Sequence, residues 1–575
     1  MPLMGSLYIG SSGLQTSQNA LNTTAHNLSN TDTVGYVRQQ AQLSDKTYVT
    51  LSVDPFSVAN KQTGLGVTYS SVKHVRDYFL DKTYRKESGR SMFYEVSTEV
   101  LEEVESQLGE LNGEAFQTTM TDLWTAIQEL TKDPASSVTQ GLLVQRASEF
   151  VARAQSVYEG LSSYQDNLNV QIKQQVDKIN DYGNQILELN DQIRMIESGG
   201  IEHANDLRDV RDQILDELGN LTKMSYTEDM YGNVYVQIEG VDFVKGSMCY
   251  EIGMEVDETT GFYTPFWPQN ASYNVKDDGT RVYNIDGAEV FDFSVEISSD
   301  LGTDIGGLKA MLLARGSHRA DYTDVSAGNY DQVSQSVIMN IQAEFDQMIH
   351  NVVTKINDIM AQAAGIQEGD LTLADGAVLE GVKYCESEEG GYMRNENGSP
   401  LQMFTKVTTM GYQKVQGADG KEYWVYNEEN ETYSDTLYTV MNLQIDEGLM
   451  QRPSTLGFRL NDGSEDNATA EALKAAFTEE IYTLNPNVQK KTTFVDYYTD
   501  LVAQVANSGY VYRSIFENQT TTVEAVESAR QQVLGVSSDE ELSNMIKFQN
   551  AYNASSRYIN VISEMLEHII NTLGM

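Results

Sequence analysis

The sequence predicts an α+β protein, elongated and multidomain, with a long coiled-coil-like helical core formed by the N- and C-terminal regions and β-rich outer domains inserted between them. Three observations predict it. Apolar residues step alternately by three and four over long stretches toward both ends of the 575-residue chain. The period falls to two after about residue 224. Only 8 prolines interrupt the sequence, which leaves room for long helices.

The length suggests several domains. With 84 acidic against 39 basic residues the formal charge is −45, which repels phosphate backbones and anionic headgroups, so no nucleic-acid partner is expected. No stretch approaches 18 consecutive apolar residues, so membrane insertion is not expected either. The segment MPLMGSLYIGSSGL has neither a basic region nor a sustained apolar region, and a cleaved secretory signal is not expected. Two cysteines, Cys249 and Cys385, rule out a disulfide framework.

The first 31 residues contain no Asp, Glu, Lys or Arg. Leu7, Leu14, Leu21 and Leu28 recur every seven residues, with Gly10, Ser17 and Thr24 between them, a thin helical seam. Uncharged polar flanks suit a helix with neighbours on several sides, because Ser, Thr, Asn and Gln tolerate partial burial better than Lys or Glu. Asn27, Asn30, Thr31, Asp32 and Gly35 end it.

A Thr- and Val-rich stretch runs to about residue 80. Phe93, Val96, Val100, Val104, Leu108 and Leu111 then mark a helix that Asn112-Gly113 breaks, and Phe116, Leu123, Trp124 and Ile127 mark another that stops near Asp133-Pro134. The strongest seam follows: Val151, Ala154, Tyr158, Leu161 and onward through Ile172, Ile179, Ile186 and Ile193 to Ile196, a rod on the order of 70 Å long. Ser198-Gly199-Gly200 ends it, and Leu207, Val210, Ile214, Leu218 and Leu221 form the returning helix.

Val234, Val236 and Ile238 alternate after a Tyr231-Gly232-Asn233 turn, opening a β module that continues to about residue 300. Helix resumes at 308–314 and 338–359. Residues 361–488 lose the helical period and form a second inserted module, mostly β and loop, with a short helix near 469–480. Phe494, Tyr498, Leu501 and Val505 begin a further seam that runs to Val533. After Gly535, the pairs Ser537/Glu540 and Ser538/Glu541 fit a capping box opening the last helix. Its seam includes Leu542, Met545, Tyr552, Ile559, Ile562, Leu566, Ile569 and Leu573.

Four units follow. Residues 1–45 with 535–575 form a terminal helical assembly domain; 46–223 with 301–360 and 489–534 form a long-helix rod. Residues 224–300 form a β-rich domain, and 361–488 the second inserted domain. The assembly interface is expected at the four N-terminal leucines and the eight C-terminal seam residues just named. Both arms are expected to order fully only when neighbouring subunits surround them, because one partner helix buries too little apolar surface to offset the backbone entropy.

No chemistry is expected. The six histidines are scattered, with no zinc spacing, phosphate loop or nucleophile elbow. Asp277-Asp278-Gly279 and Asp462-Gly463 lack alternating oxygen ligands and read as turns rather than calcium loops. Catalytic residues, cofactor and metal sites are all expected to be absent.

The segment SLYIGSSGLQTSQNALNTTAHNLSNTDTVGYVRQ, Ser6 to Gln39, is similar to the terminal motif shared by flagellar rod, hook and junction proteins. His26 and Val34 replace the usual asparagine and proline. Residues Ala204 to Val244 resemble the helix-to-β transition of the hook-associated junction proteins, and Ser537 to Leu573 the closing helix of the axial family. On these residues the chain is identified as a member of the bacterial flagellar hook-associated proteins. The resemblance implies a structural role, not an enzyme: the first junction layer between hook and filament, built by self-assembly of terminal helices. It further implies as partners the chain itself in a helical array, hook protein, the second hook-filament junction protein and an export chaperone on the C-terminal helix. Type III export to an extracellular flagellum without a cleaved signal peptide is implied too. Alternatives are another flagellar axial protein, such as the second junction protein or a hook subunit, or a surface adhesin.

Overall fold

The computed structural model describes residues 2–33, 35–53, 60–109, 116–199, 203–276, 281–326, 328–388, 391–460 and 462–573. The chain opens with α1 (Pro2–Ser29) and the paired strands β1 (Gln39–Asp45) and β4 (Val67–His74), between which β2 (Val49–Val53) and β3 (Asn60–Thr63) form a second hairpin. Helices α2 (Tyr78–Leu108), α3 (Phe116–Lys132), α4 (Ser137–Glu197) and α5 (Asn205–Leu221) follow. The Asp77 carboxylate caps α2 by accepting from the Phe79 and Leu80 amides, and Gly109, at φ 79°, ends it. The helix therefore stops before Leu111, and the expected Asn112-Gly113 break lies outside the described residues.

α4 holds 61 residues, about 90 Å at 1.5 Å per residue. It starts at the Ser136 cap, well before the Val151 where the sequence seam begins, and Leu143, Val144, Ala147 and Phe150 are buried in the added turns. At its far end Ile196 faces solvent. The helix threads two cores. Leu143 to Leu168 join α2, α3 and later helices around Phe116, whose ring meets Phe150, Phe345 and Tyr498 at 5.0–5.4 Å. Ile172 to Ile186 instead pack on α5 and the β-rich segment that follows it. Gln165, buried on the seam near the change-over, is satisfied by the Arg315 and His318 carbonyls and by Gln342.

That β-rich segment contains a four-stranded antiparallel sheet of β5 (Met224–Glu228), β6 (Val234–Ile238), β7 (Val241–Lys245) and β8 (Met248–Cys249). Two hairpins complete it: β9 (Gly253–Val256) with β10 (Tyr263–Phe266), and β11 (Ser272–Val275) with β12 (Arg281–Asn284). The chain returns through α6 (Gly307–Arg315), the short α7 (Tyr330–Val333) and α8 (Val337–Ala363).

The second inserted segment pairs β13 (Gln367–Thr372), β14 (Val378–Glu386), β16 (Tyr412–Gln416) and β17 (Glu422–Tyr426) in the order β13-β14-β17-β16. β15 (Phe404–Lys406) pairs separately with β18 (Leu443–Ile445). Short α9 (Glu447–Gln451) and α10 (Asn467–Thr478) lead to α11 (Phe494–Leu534) and α12 (Ser538–Leu573). α11 runs antiparallel to α2: the Tyr498 hydroxyl donates to the Leu108 carbonyl, Arg513 meets Glu102, and Gln519 meets Glu87. The outgoing and returning limbs of the chain thus lie side by side, as the α+β expectation requires.

Asp346 fixes the second inserted segment to α8. Fully buried, it accepts from the Tyr322 and Val440 amides at 3.0 and 2.7 Å. Burial pushes its pKa up to about 8, against the pull of those two amides and helped by nearby Asp321 and Glu429. The folded state therefore binds the extra proton between about pH 4 and pH 8, and this group's contribution to stability falls as pH rises through that window. Denaturant midpoints at pH 5 and pH 9 should differ less for Asp346→Asn than for the wild type.

Candidate assembly interface

α1 packs against α12. α1 buries Gly10, Ser17, Ala20, Thr24 and Asn27 and half-buries Gly13, so that its innermost line steps 3-4-3-4-3 through small and short polar residues. The helices run antiparallel, and the reason for glycine is direct. A Cβ at Gly10 would stand 2.6 Å from Ile559 Cγ1, and one at Gly13 2.8 Å from Ser555 Oγ. Gly10→Val should force the helices apart and destabilise their pairing by about 1–3 kcal/mol, read in assembled hook tips as faster amide exchange in 5–29 and 540–570.

The other flank of α1 seats on the β1–β4 hairpin. Ser12 Oγ donates to the Leu65 carbonyl and accepts from the Val67 amide, and the Thr23 and Tyr69 hydroxyls meet at 3.0 Å. Asn27 is the hub of the closing turn: its Nδ2 donates to the Gln39 carbonyl at 2.8 Å, and its Oδ1 accepts from the Gln39 amide and the Tyr36 hydroxyl. His26 Nδ1 lies 3.0 Å from the same Tyr36 hydroxyl. The charge-free composition of α1 follows from having neighbours on two flanks.

Arg38 locks this turn to the start of α12. Its Nη1 pairs with Glu540 and its Nε with Glu541, each at 2.9 Å, while its amide donates to the Leu534 carbonyl. The capping box is half formed: the Glu540 amide reaches Ser537 Oγ at 3.5 Å, but both glutamates turn to Arg38. Behind it lies a buried knot of three arginines and three aspartates. Arg76 pairs with Asp81 and Asp212, Arg85 with Asp212 and Asp216, and Arg530 with Asp81 and Asp216, tying α2, α5 and α11 together. His74 and the Val37 amide both engage Asp209 beside it. Neither Arg38 nor the knot is legible in the sequence: Arg530 sits inside α11, and its partners Asp81 and Asp216 lie 449 and 314 positions away.

Leu7, Leu14, Leu21 and Leu28 are half-buried beside the small-residue line rather than at its centre. Of the described apolar seam residues on α12 only Ile562 is buried; Met545, Tyr552, Ile559 and Leu566 are half-buried, and Leu542 and Ile569 are exposed. The side chain of Leu573 lies outside the described residues. Ile546, Tyr558, Val561, Met565 and Ile570 are exposed as well, so α12 presents apolar side chains to solvent near its start and again over its last turns.

The remaining candidate groups are structural in character. Burial and Glu251 push the Cys249 thiol up to about 12, and burial raises Cys385 as well, so neither is activated. His350 pairs with Glu429 and His318 with Asp324. Asp462 accepts from the Ser464 amide and hydroxyl as an ordinary turn, whereas Asp277 to Gly279 lie outside the described residues. Among the described residues no cluster of ligating side chains suits a metal, and no helix is long and apolar enough to cross a membrane.

Residues 101–372 match the family model of the flagellar hook-associated protein FlgK helical domain. Residues 7–36 match that of flagella basal body rod proteins, and 516–572 that of the flagellar basal body rod FlgEFG protein C-terminal region. Flagellar hook-associated protein 1 of Bacillus subtilis (strain 168) is 25% identical over 98% of this chain and 97% of its own length. Its Salmonella typhimurium counterpart is 23% identical over 97% and 98%. A solved structure of the flagellar hook junction protein FlgK from Burkholderia pseudomallei aligns with 80% of this chain and 100% of its own, at 13% identity and a TM-score of 0.49. With rod-type matches at both ends, a hook-associated helical-domain match between them and relatives aligned along nearly the whole length, the chain is similar throughout to flagellar hook-associated protein 1, and the relatives it matches are flagellar structural proteins, not enzymes.

Proposed function

We propose that this chain forms the first junction layer between the flagellar hook and filament, and that it self-assembles there through α1 and α12. The observation that carries the reading is the pair of exposed apolar groups on α12, Leu542 and Ile546 near its start and Val561, Met565 and Ile570 toward its end. A chain carrying −45 has no need of so many exposed Leu, Ile, Val and Met on one helix unless other subunits cover them. Heterologous packing of that surface on the next copy propagates a helical array instead of closing a dimer. Leu7, Leu14, Leu21 and Leu28 with Met545, Tyr552, Ile559, Ile562, Leu566, Ile569 and Leu573 complete the interface. The neighbouring layers are hook protein on one side and the second junction protein on the other. Before export, a chaperone shields the C-terminal helix; the chain then leaves unfolded by type III export, uncleaved, and reaches the extracellular flagellum.

The test is electron microscopy of hooks isolated without this chain, with purified full chain added and detected by gold-labelled antibody. Labelling confined to the hook's distal end is expected. Label along the shaft, or at the base, would instead make the chain a hook or rod subunit.

A further inference from the structure

Between α2, the end of α5 and β5 lies a cleft of about 420 Å³ lined by Lys82, Arg85, Lys86, Lys223, Tyr226 and Leu301, among others. Asp300 is the one carboxylate residue on its wall. Four cations against one acid is the reverse of the whole chain, where acidic residues outnumber basic ones 84 to 39.

The three lysines are poorly compensated, whereas Arg85 belongs to the ion-pair knot. Arg85 is only 3% exposed, and its Nε and Nη2 are taken by Asp216 and Asp212. Its Nη1 is enclosed with no hydrogen-bond partner. Lys82 and Lys223 form no ion pair among the described residues, and Lys86 has only Glu87, at 4.0 Å. Lys82 Nζ lies 4.5 Å from the Tyr78 ring and the Arg85 guanidinium 4.5 Å from that of Tyr226, so aromatic faces hold the cations in place. Leu301, 58% exposed, stands at the rim.

The three lysine ammonium groups around the cleft can each form a charge-assisted bond to a carboxylate that enters it. We infer that this cleft receives a carboxylate-rich segment of a neighbouring copy of this chain. Charge complementarity selects that occupant. Copies each carrying −45 repel one another in any close-packed layer, and an array forms more readily where the few basic surfaces of one copy meet the abundant acids of the next. The inference depends on the assembly reading above and adds to it a lateral contact on the rod, away from the terminal helices.

The test places a benzophenone-bearing residue at position 301 in the full-length chain, incorporates it at hook tips, illuminates the tips and maps the cross-linked peptides by mass spectrometry. The expected product joins position 301 to an Asp- and Glu-rich peptide of another copy. Combining Lys82→Gln, Lys86→Gln and Lys223→Gln should lower its yield at least about fivefold, whereas the three Lys→Arg changes retain it, because the charge of the cleft rather than its shape holds the segment. Incorporation with no cross-link, with a cross-link only to a different protein, or with a yield indifferent to the three glutamines overturns the inference while leaving the junction reading intact. If the unlabelled wild-type chain fails to incorporate, the junction reading itself fails and this inference with it.

Discussion

Deleting Ser538–Leu573 is expected to abolish incorporation at the hook tip while leaving the rod folded. The two large cores draw on α2 to α6, α8, α10 and the first part of α11, and neither includes a residue of α12. What the deletion removes is the partner of the Gly10–Gly13 line, the two glutamates that hold Arg38, and the exposed apolar surface. Thermal unfolding of the rod should therefore move little, whereas gold label at hook tips should fall at least about tenfold, the equivalent of losing some 1.4 kcal/mol or more of binding. A truncated chain that still labels hook tips at the wild-type density would remove α12 from the interface.

Arg530→Ala is expected to cost about 3–5 kcal/mol, the range for removing one partner of a buried, hydrogen-bonded charge set. Arg530 is 7% exposed; its Nε donates to Asp81 at 2.8 Å, its Nη2 to Asp216 at 2.6 Å, and its guanidinium lies over the Tyr84 ring. Without it Asp81, 3% exposed, keeps only Arg76 within ion-pair distance. Beyond residue 509 α11 is mostly half-buried or exposed, so this knot is what anchors its last turns. The effect should appear as faster hydrogen exchange across 510–534 and a looser attachment of α12. Arg530→Lys, which keeps the charge but not the planar fork, should recover only part of the loss. There is a matching acid dependence. Burial works to raise the Asp81 pKa, but Arg76, Arg530 and Arg85 together hold it below the ordinary value. Its stabilisation is therefore present above the unfolded pKa and is lost as pH falls through the folded one, and the alanine variant should begin to unfold at higher pH.

The fold was readable where spacing alone determines burial. The seam from Val151 to Ile193 on α4 needs no knowledge of partners, because a 3-4 repeat of apolar residues dictates one buried stripe. The start of α4 was missed although the 3-4 spacing runs back from Val151 through Ala147 and Val144 to Gln140, because this first stretch mixes short and polar side chains into the buried stripe. The Thr- and Val-rich stretch before residue 80 gave no strand pairing, since the partners of β1 lie across a 21-residue excursion that includes β2 and β3. At the interface the leucine heptads drew attention to the larger side chains, whereas the closest approach belongs to Gly10 and Gly13. Arg38 with Glu541, 503 positions away, and Arg530 with Asp81, 449 away, carry no local pattern at all. Such pairs exist only because the chain goes out along α2 and comes back along α11.

The central claim is that the two terminal helices are completed by other subunits and have little stability without them. Among the described residues Ile562 is the only buried apolar side chain that α12 contributes, so its attachment to α1 alone is weak. Hydrogen exchange measured on the full chain, first in dilute solution and then in assembled hook tips, addresses this directly. Amides of 2–29 and 538–573 should exchange near the unprotected rate in the dilute chain and slow by roughly a thousandfold on assembly, while those of α4 stay protected in both. Terminal amides already as protected in dilute solution as those of α4 would contradict the account.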